Sequence, residues 1–218
     1  MTAADISVDR VAELLSQRLP IYKWRRPVYQ AAMLSALAEV WDPATRRLLD
    51  IGGGTGVIAQ AVHDLFGVDK IVSIDVEDRF LQDLQIETAT YDGRRLPFPD
   101  GAFDAVMFNN VLHHVEVADR PALIRECRRV APHGALYIKD HLARSPLDHL
   151  RLGALDFIGN VPFHGMVKAR YLEAKDWEAL AAEGGYRIER RVAGRYRSGP
   201  FGLAFPNTLE ITMKWVPA

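Results

Sequence analysis

The chain has a single cysteine, Cys127, among its 218 residues, so it cannot form an internal disulfide. Basic and acidic side chains nearly balance, with 27 Lys and Arg against 28 Asp and Glu. A chain without a basic excess lacks the electrostatic signature of nucleic-acid binding. No apolar run reaches the length of a membrane-spanning helix, and the acidic N-terminal residues fit neither a secretory nor a transit sequence. We therefore expect a cytoplasmic protein with no membrane insertion and no nucleic-acid partner.

Short apolar runs alternate with helical patterns along the chain, which is typical of a parallel α/β sheet. With 49% hydrophobic residues, the chain can bury a substantial core. The region up to about Glu39 has the pattern of two helices interrupted near Pro20 and Pro27. The patterns then predict a strand ending at Asp50, strands at 71–74, 87–91, 103–108 and 135–138, helices near 55–66, 121–130, 146–158 and 176–183, and two final antiparallel strands.

A glycine-rich turn, with the sequence DIGGGTG at positions 50–56, follows the first predicted strand. Because glycine has no Cβ, the backbone at Gly52, Gly54 and Gly56 can adopt positive φ and approach a ligand closely. The helix that follows offers unpaired N–H groups. The pattern is typical of a nucleotide or cofactor site, although an ordinary tight turn also uses glycine.

An acidic residue, Asp75, ends the second predicted strand. Ligands of a doubly wound sheet bind at the carboxyl ends of the strands, where a carboxylate can accept hydrogen bonds from both hydroxyls of a ribose. The alternative role for such an aspartate is a helix N-cap. The dinucleotide fingerprint needs a small residue where Val57 stands, so the sequence favours another nucleotide-type cofactor.

Several motifs in order resemble the class I S-adenosylmethionine-dependent methyltransferases, in particular the small-molecule, type 11-like branch. Positions 50–56 are similar to the family motif D-x-G-x-G-x-G, with Gly53 at a variable position. Asp75 is similar to the ribose-binding acid, and Asp92-Gly93 to the pair that contacts adenine. The segments LPFPDGAFD at 96–104 and NNVLHHV at 109–115 resemble two further motifs of that branch.

The resemblance covers about Leu48 to Asp140 and implies a fold and a cofactor. The fold is a Rossmann-like α/β sheet of seven strands, mostly parallel with an antiparallel C-terminal strand. The cofactor is S-adenosylmethionine, and the product is S-adenosylhomocysteine. We expect one domain over 1–218, with an N-terminal helical cap at 1–45, a cofactor-binding core at 46–141, and a substrate-binding insertion with C-terminal strands at 142–218.

The resemblance also implies how the cofactor is held. The glycine turn would pass beside the methionine moiety, whose carboxylate would meet backbone amides. Asp50 would bond the amino group of that moiety, and Asp75 both ribose hydroxyls. Val76, Asp92 and Gly93 would contact the adenine, and Asn109 would lie beside the sulfonium. The implied cofactor-binding residues are Asp50, Gly52, Gly53, Gly54, Gly56, Asp75, Val76, Asp92, Gly93 and Asn109.

Methyl transfer to a hydroxyl or an ammonium acceptor needs a base, which contributes roughly 10²–10⁴-fold to the rate. Candidates at the carboxyl edge of the sheet are the histidines after the fourth strand and the residues Lys139 to His141 after the fifth. We expect His141 to be the base, with Asp140 as the partner that orients it, and His114 as a weaker candidate. For each of them a helix cap or a solvated loop is the competing explanation. The sequence assigns no metal site.

The last third of the chain should carry the substrate pocket, since specificity in such folds resides in added loops and helices. Asp156, Asn160 and His164 place polar groups among apolar ones and are the expected substrate-binding residues, although a capped helix end explains Asn160 equally well. The segment YKWRR at 22–26 is a lid or a solvated helix connection. The arginines between Arg187 and Arg197 are expected on a solvated strand face.

The predicted activity is methyl transfer to an O or N nucleophile of a small molecule, in preference to carbon. Methyltransferases that act on nucleic-acid or protein amide nitrogens often carry N-P-P-[YF] after the fourth strand, where this chain has Asn109-Asn110-Val111-Leu112. The alternatives are another reaction of S-adenosylmethionine, or a protein that binds it without catalysis. The expected partner is a small-molecule acceptor, and a homodimer is left open.

Overall fold

The computed structural model describes residues 6–160 and 168–218, with side chains described up to Phe157 and from Lys168 onward. The strands are β1 Arg47–Ile51, β2 Lys70–Asp75, β3 Glu87–Thr90, β4 Ala105–Asn109, β5 Ala135–His141, β6 Tyr186–Val192 and β7 Glu210–Pro217. The α-helices are α1 Val8–Ser16, α2 Val28–Val40, α3 Val57–Phe66, α4 Arg120–Val130, α5 Pro146–Asn160, α6 Ala174–Glu183 and α7 Gly199–Ala204. Together these elements confirm the predicted α/β fold class.

The strands of the described residues form one sheet in the order β3-β2-β1-β4-β5-β7-β6. Strands β1 to β5 are parallel, and β7 runs antiparallel to both β5 and β6. The strand order reverses between β1 and β4, which is where an open α/β sheet binds its ligand. Ile51 lies opposite Ile74 of β2 and Phe108 of β4, so the ends of these strands are level. The turn after β1 therefore lies between Asp75 and Asn109.

Each face of the sheet is covered by a helical layer. Leu49 and Ile51 belong to the core that α4 and α6 cover, whereas Leu48 belongs to the core under α1, α2 and α3. This alternation follows from the two-residue period of an extended strand. The central strands β1, β2, β4 and β5 are covered on both faces, and most of their polar side chains lie near their carboxyl ends.

Strand β5 continues to His141, whereas the sequence predicts its end at Ile138. The added residues pair with β7, where His141 lies opposite Glu210. Polar side chains made this stretch look like a loop, but antiparallel pairing to a distant strand keeps it extended. Lys139, Asp140 and His141 are consequently buried members of the sheet.

The N-terminal helices and their connection match the predicted pattern. Helix α1 is followed by a 3₁₀ turn at Pro20–Lys23, and α2 begins after Pro27. Glycines in left-handed conformation bound α3, with Gly56 before it and Gly67 after it. Among the helices of the described residues, none is long and apolar enough to cross a membrane.

Candidate active site

The glycine turn joins β1 to α3 and folds over the end of β2. The N–H groups of Gly52 and Gly53 donate to the carbonyl of Ile74 at 2.7 and 3.1 Å. Gly52 and Gly54 have φ of +78° and +58°. A Cβ at Gly52 would overlap the side chain of Val111, whereas one at Gly54 would meet no described atom within 4 Å. Gly52 therefore serves packing, and the backbone at Gly54 is open to a ligand.

Asp75 ends β2 and contacts the glycine turn directly. Its Oδ2 accepts a hydrogen bond from the N–H of Gly54 at 2.8 Å, and its Oδ1 accepts one from the N–H of Glu77 at 3.2 Å. The Arg79 guanidinium lies 3.5 Å from Oδ2. Since each carboxylate oxygen has two lone pairs, Asp75 retains capacity to accept bonds from hydroxyl groups.

Asp50 is buried beneath the same turn. Its Oδ2 accepts a hydrogen bond from Ser73 Oγ at 2.6 Å. Burial raises the pKa of Asp50 to about 7, while the Ser73 bond opposes the rise and the charge of Asp75 adds to it. A Cβ at Gly53 would overlap Ser73 Oγ, so glycine is needed for the turn to lie against this carboxylate. A ligand ammonium group would favour the ionised form of Asp50.

The residues predicted to contact adenine lie together beside β2. Asp92 Oδ1 accepts hydrogen bonds from the N–H groups of Arg94 and Arg95 at 2.8 and 3.0 Å, which lower its pKa. Gly93 has φ of +78°, and a Cβ there would lie 3.1 Å from Val76 Cγ1. Val76 is 46% exposed, which leaves its side chain available to an apolar ring.

Asn109 is the last residue of β4 and carries an unsatisfied donor. Its Nδ2 is buried and has no hydrogen-bond partner among the described residues. Buried side-chain amides are rarely left without a partner, so this group is available to bond a polar ligand atom. The next residue, Asn110, has a φ of +55°, which turns the chain sharply away from the strand.

A second polar group of residues, the His113–Asp156–His141 cluster, lies at the ends of β4 and β5. His113 Nδ1 is 2.5 Å from Asp140 Oδ1, and its Nε2 is 3.4 Å from Asp156 Oδ2. His141 Nε2 is 3.4 Å from the other oxygen of Asp156. The hydroxyl of Tyr171 donates to Asp156 Oδ2 at 2.5 Å. Asp156, on α5, therefore lies between two imidazoles and is buried with them.

The orienting partners of the two histidines differ from the expectation. Asp140 was expected to orient His141, but its side chain contacts His113 and only the backbone N–H of His141. His141 Nδ1 instead lies 3.0 Å from Glu210 Oε2. Successive residues of a strand point to opposite faces, whereas Glu210 is the cross-strand neighbour of His141. Sequence reasoning missed Glu210 because β7 is distant along the chain.

The carboxylates of the cluster raise the pKa of both histidines. At His113 burial disfavours the imidazolium, but Asp140 and Asp156 outweigh it and raise the pKa to about 9. Burial also disfavours the imidazolium of His141, but Glu210 and, to a smaller extent, Asp156 outweigh it and raise the pKa. The pKa of Asp156 is held well below its usual range by the two histidines, despite burial.

Two cations balance Glu210: Lys139, which the sequence placed among the candidates at the carboxyl edge, and Arg197, which it did not. Lys139 Nζ donates to Glu210 Oε2 at 2.7 Å, to Asn110 Oδ1 at 2.5 Å, and to the hydroxyl of Tyr29. Arg197 pairs with the other oxygen of Glu210 and is buried, so its predicted place on a solvated strand face is wrong. β6 ends at Val192, before this arginine. The sequence did contain a signal for the role of Lys139, because a lysine that directly continues an apolar strand needs a buried partner.

The remaining predicted residues lie around this cluster or outside the described part. The ring of His114 is 4.0 Å from that of His113, and its Nδ1 lies 2.9 Å from the carbonyl of Lys168. Burial lowers the pKa of His114. Asn160 is the last residue of α5, and His164 lies outside the described residues.

Comparison with known proteins supports the resemblance. A family model described as "Methyltransferase domain" matches residues 49–138, from β1 into β5. The ubiquinone/menaquinone biosynthesis C-methyltransferase UbiE of Desulfotalea psychrophila is 29% identical over 51% of this chain and 44% of its own. A malonyl-[acyl-carrier protein] O-methyltransferase of Geobacter sulfurreducens is 24% identical over 75% of this chain and 63% of its own. The chain thus spans less than two thirds of either relative.

Solved structures share the fold. A methyltransferase of Haloferax volcanii, solved in complex with the activator Trm112, has a TM-score of 0.67 and 14% identity, covering 99% of this chain and 95% of its own. The sheet, the turn and the matched segment define a methyltransferase domain. Residues 49–138 thus match a methyltransferase domain, and the fold and the comparisons support an S-adenosylmethionine-dependent methyltransferase of class I with S-adenosylmethionine as cofactor.

The residues of this edge of the sheet fit that cofactor. The open backbone at Gly54 and the buried carboxylate of Asp50 suit the carboxylate and the ammonium of a methionine moiety. Asp75 can accept from ribose hydroxyls, and the unpaired amide of Asn109 stands at the end of β4. The contact of each residue with the cofactor is inferred from the family motifs and stays a prediction.

Proposed function

We propose that the chain transfers the methyl group of S-adenosylmethionine to an O or N nucleophile of a small molecule. The proposal is carried by one observation: a single short segment joins the predicted cofactor site to the buried polar cluster. Asn109 begins it, Val111 packs on Gly52, and His113 enters the cluster. The N–H of Leu112 donates to Asp140 Oδ2 at 3.0 Å, which fixes the segment.

The cofactor supplies a methyl group already activated as a sulfonium, so the chain has to align the acceptor, exclude water and remove a proton. We assign the proton to the cluster, and first to His141. Asp140 is proposed as a positioning residue that acts through His113, and His114 borders the cluster. Asp156, with Asn160 and His164, is proposed to bind the acceptor.

The choice of O or N over carbon rests on this cluster. A hydroxyl or an ammonium must lose a proton before or during methyl transfer, and buried imidazoles paired with carboxylates are suited to that task. The two relatives named above include a C- and an O-methyltransferase, so they support methyl transfer without choosing the atom.

We also propose that the chain forms one domain with three regions. These are a helical cap at 1–45, a cofactor core at 46–141 and a substrate-binding region at 142–218. A small-molecule acceptor is the proposed partner, and a homodimer and a cytoplasmic location stay predictions. Another reaction of S-adenosylmethionine, or binding without catalysis, is the competing function.

A screen of metabolite fractions with labelled S-adenosylmethionine tests the function. We expect a labelled small molecule and an equal amount of S-adenosylhomocysteine. With the identified acceptor, His141→Gln should lower kcat by roughly 10²–10⁴-fold and leave cofactor affinity unchanged. His63→Gln is the control, because His63 lies on α3 beside Asp64. Cofactor binding without turnover on any fraction would favour the non-catalytic alternative.

A further inference from the structure

The His113–Asp156–His141 cluster has the composition of a transition-metal site. Two imidazoles and one carboxylate converge in it, and their ligand atoms all lie within 4.8 Å of one another. Imidazole and carboxylate are ligands of Zn²⁺, and sites with two histidines and one carboxylate leave a position for a substrate or water. We propose that this cluster binds one divalent transition-metal ion, with Zn²⁺ as the probe.

The distances suit coordination better than hydrogen bonding. Each Nε2 lies 3.4 Å from an oxygen of Asp156. Direct N–H···O bonds are usually 2.7–3.2 Å long, at about 2.9 Å most often. Tetrahedral Zn²⁺ with bonds of about 2.0–2.1 Å places its ligand atoms roughly 3.3 Å apart. The two distances between imidazole nitrogen and Asp156 oxygen are therefore close to those between ligands of a zinc ion, and all ligand atoms lie within 4.8 Å of one another.

A ring nitrogen without a hydrogen-bond partner faces Asp156 in the same space. His113 Nε2 is buried and has no hydrogen-bond partner among the described residues, and only 1% of the side chain is exposed. Leaving such an atom unpaired is costly, and metal coordination satisfies it. His113 is thereby distinguished from a histidine that serves packing alone.

The outer contacts orient both imidazoles for coordination. Asp140 holds Nδ1 of His113, and Glu210 lies 3.0 Å from Nδ1 of His141. Histidine ligands of metals regularly direct the other ring nitrogen to a carboxylate, which fixes the tautomer and makes the coordinating nitrogen more basic. This leaves Nε2 of His113 for the ion, and at His141 Nε2 is the ring nitrogen that faces Asp156.

This inference rests on the proposed function and refines the activation of the acceptor. A metal-bound hydroxyl or amine loses its proton more easily, because the cation stabilises the deprotonated form. The proton goes to solvent, the freed lone pair forms the bond to the methyl carbon, and the C–S bond breaks with its electrons left on sulfur. With the ion bound, His141 acts as a ligand, and this role replaces that of the base proposed for it above.

Calorimetry of chelator-treated protein with Zn²⁺ tests the site. We expect one ion per chain, and Asp140→Asn should weaken binding by about 10–100-fold through His113. His141→Gln should weaken it further, and His63→Gln should leave it unchanged. Zn²⁺ affinity in His141→Gln equal to that of the unmodified chain would overturn the proposal.

The unmodified chain provides a test that does not depend on folding of a variant. X-ray absorption of the Zn²⁺-loaded protein should show nitrogen and oxygen ligands with imidazole scattering and no sulfur. A spectrum without imidazole, or no bound Zn²⁺, would overturn the proposal. Cofactor binding is measured on the same samples. Cofactor binding without Zn²⁺ binding overturns the metal site alone, whereas the reverse result overturns the cofactor site alone.

Discussion

Asp75 accepts a hydrogen bond from the backbone N–H of Gly54 at 2.8 Å. The carboxyl end of β2 is thereby tied to the turn after β1, at the reversal of strand order. The same carboxylate is predicted to bind the ribose, so it shapes the turn and contacts the ligand. A substitution that keeps the shape of Asp75 and removes its charge separates these roles better than truncation does.

Asp75→Asn should therefore weaken binding of S-adenosylmethionine by about 10–100-fold, because hydrogen bonds to a charged group contribute about 1.5–3 kcal/mol. Asp78→Asn, a change of the same kind at an exposed position nearby, should leave affinity unchanged. Isothermal titration calorimetry measures both. Equal affinity in Asp75→Asn and the unmodified chain would show that the ribose assignment is wrong.

Gly54→Ala and Gly67→Ala form a matched pair at the turn and behind α3. Both residues have positive φ, +58° and +68°, and an added Cβ at either meets no described atom within 4 Å. Each variant should lose about 1–2 kcal/mol of folding stability from backbone strain. Only Gly54→Ala should also lose cofactor affinity, because its methyl group projects where the methionine moiety is predicted. Thermal unfolding measures the stability of the two variants, and calorimetry measures their affinity for S-adenosylmethionine. Equal affinities in the two variants would contradict cofactor binding at the glycine turn.

The pKa of Asp50 gives a pH dependence whose sign is fixed. Its value of about 7 in the folded chain is above the ordinary aspartate value of about 3.9. The unfolded chain therefore loses this proton first, and the stability contributed by protonated Asp50 is lost as pH rises from about 4 to about 7. Asp50→Asn should flatten this part of the stability profile, measured by urea unfolding. An unchanged slope would contradict the raised pKa.

The same group predicts proton release on cofactor binding. Below about pH 7 Asp50 is largely protonated in the free chain, and an ammonium group placed beside it favours the carboxylate. Affinity for S-adenosylmethionine should rise with pH up to about 7, with release of a proton. Calorimetry in two buffers of different ionisation enthalpy counts the protons. Release that persists in Asp50→Asn would assign it to another group.

Glu210→Gln should be strongly destabilising, because it leaves the buried Lys139 and Arg197 without their shared carboxylate. Breaking a buried ion pair costs about 3–5 kcal/mol. Glu87→Gln is the matched control: its pair with Lys70 is 2.8 Å long, against 2.7 Å for Lys139–Glu210, but it is half-exposed. That change should cost less than about 1 kcal/mol. Similar losses of unfolding free energy in the two variants would contradict the role of burial.

The α/β fold class and the glycine turn were accessible from the sequence because both leave local patterns. Alternating apolar runs identify strands, and three glycines after Asp50 require a turn that side chains would block. Asp75 and Asn109 could be placed by the same logic, since each stands where a buried strand ends. Local patterns thus indicated where a ligand could bind on the parallel strands, and the roles of the individual residues stay predictions.

The polar cluster could not be assembled in this way, because its partners meet through tertiary contacts. Glu210 reaches His141 only through the antiparallel pairing of β5 and β7, and no local pattern encodes that register. Asp140 was assigned to its neighbour His141 by proximity in sequence, whereas strand geometry directs it to His113. Arg197 looked solvated because its burial depends on Glu210.

The measurement that tests the central claim most directly is a calorimetric titration of the chain with S-adenosylmethionine, followed by competition with S-adenosylhomocysteine and with NAD. The glycine turn, Asp50 and Asp75 predict one saturable site per chain that S-adenosylhomocysteine competes for and the dinucleotide does not. A folded chain that gives no binding with S-adenosylmethionine, or whose site is occupied equally well by NAD, would contradict the account.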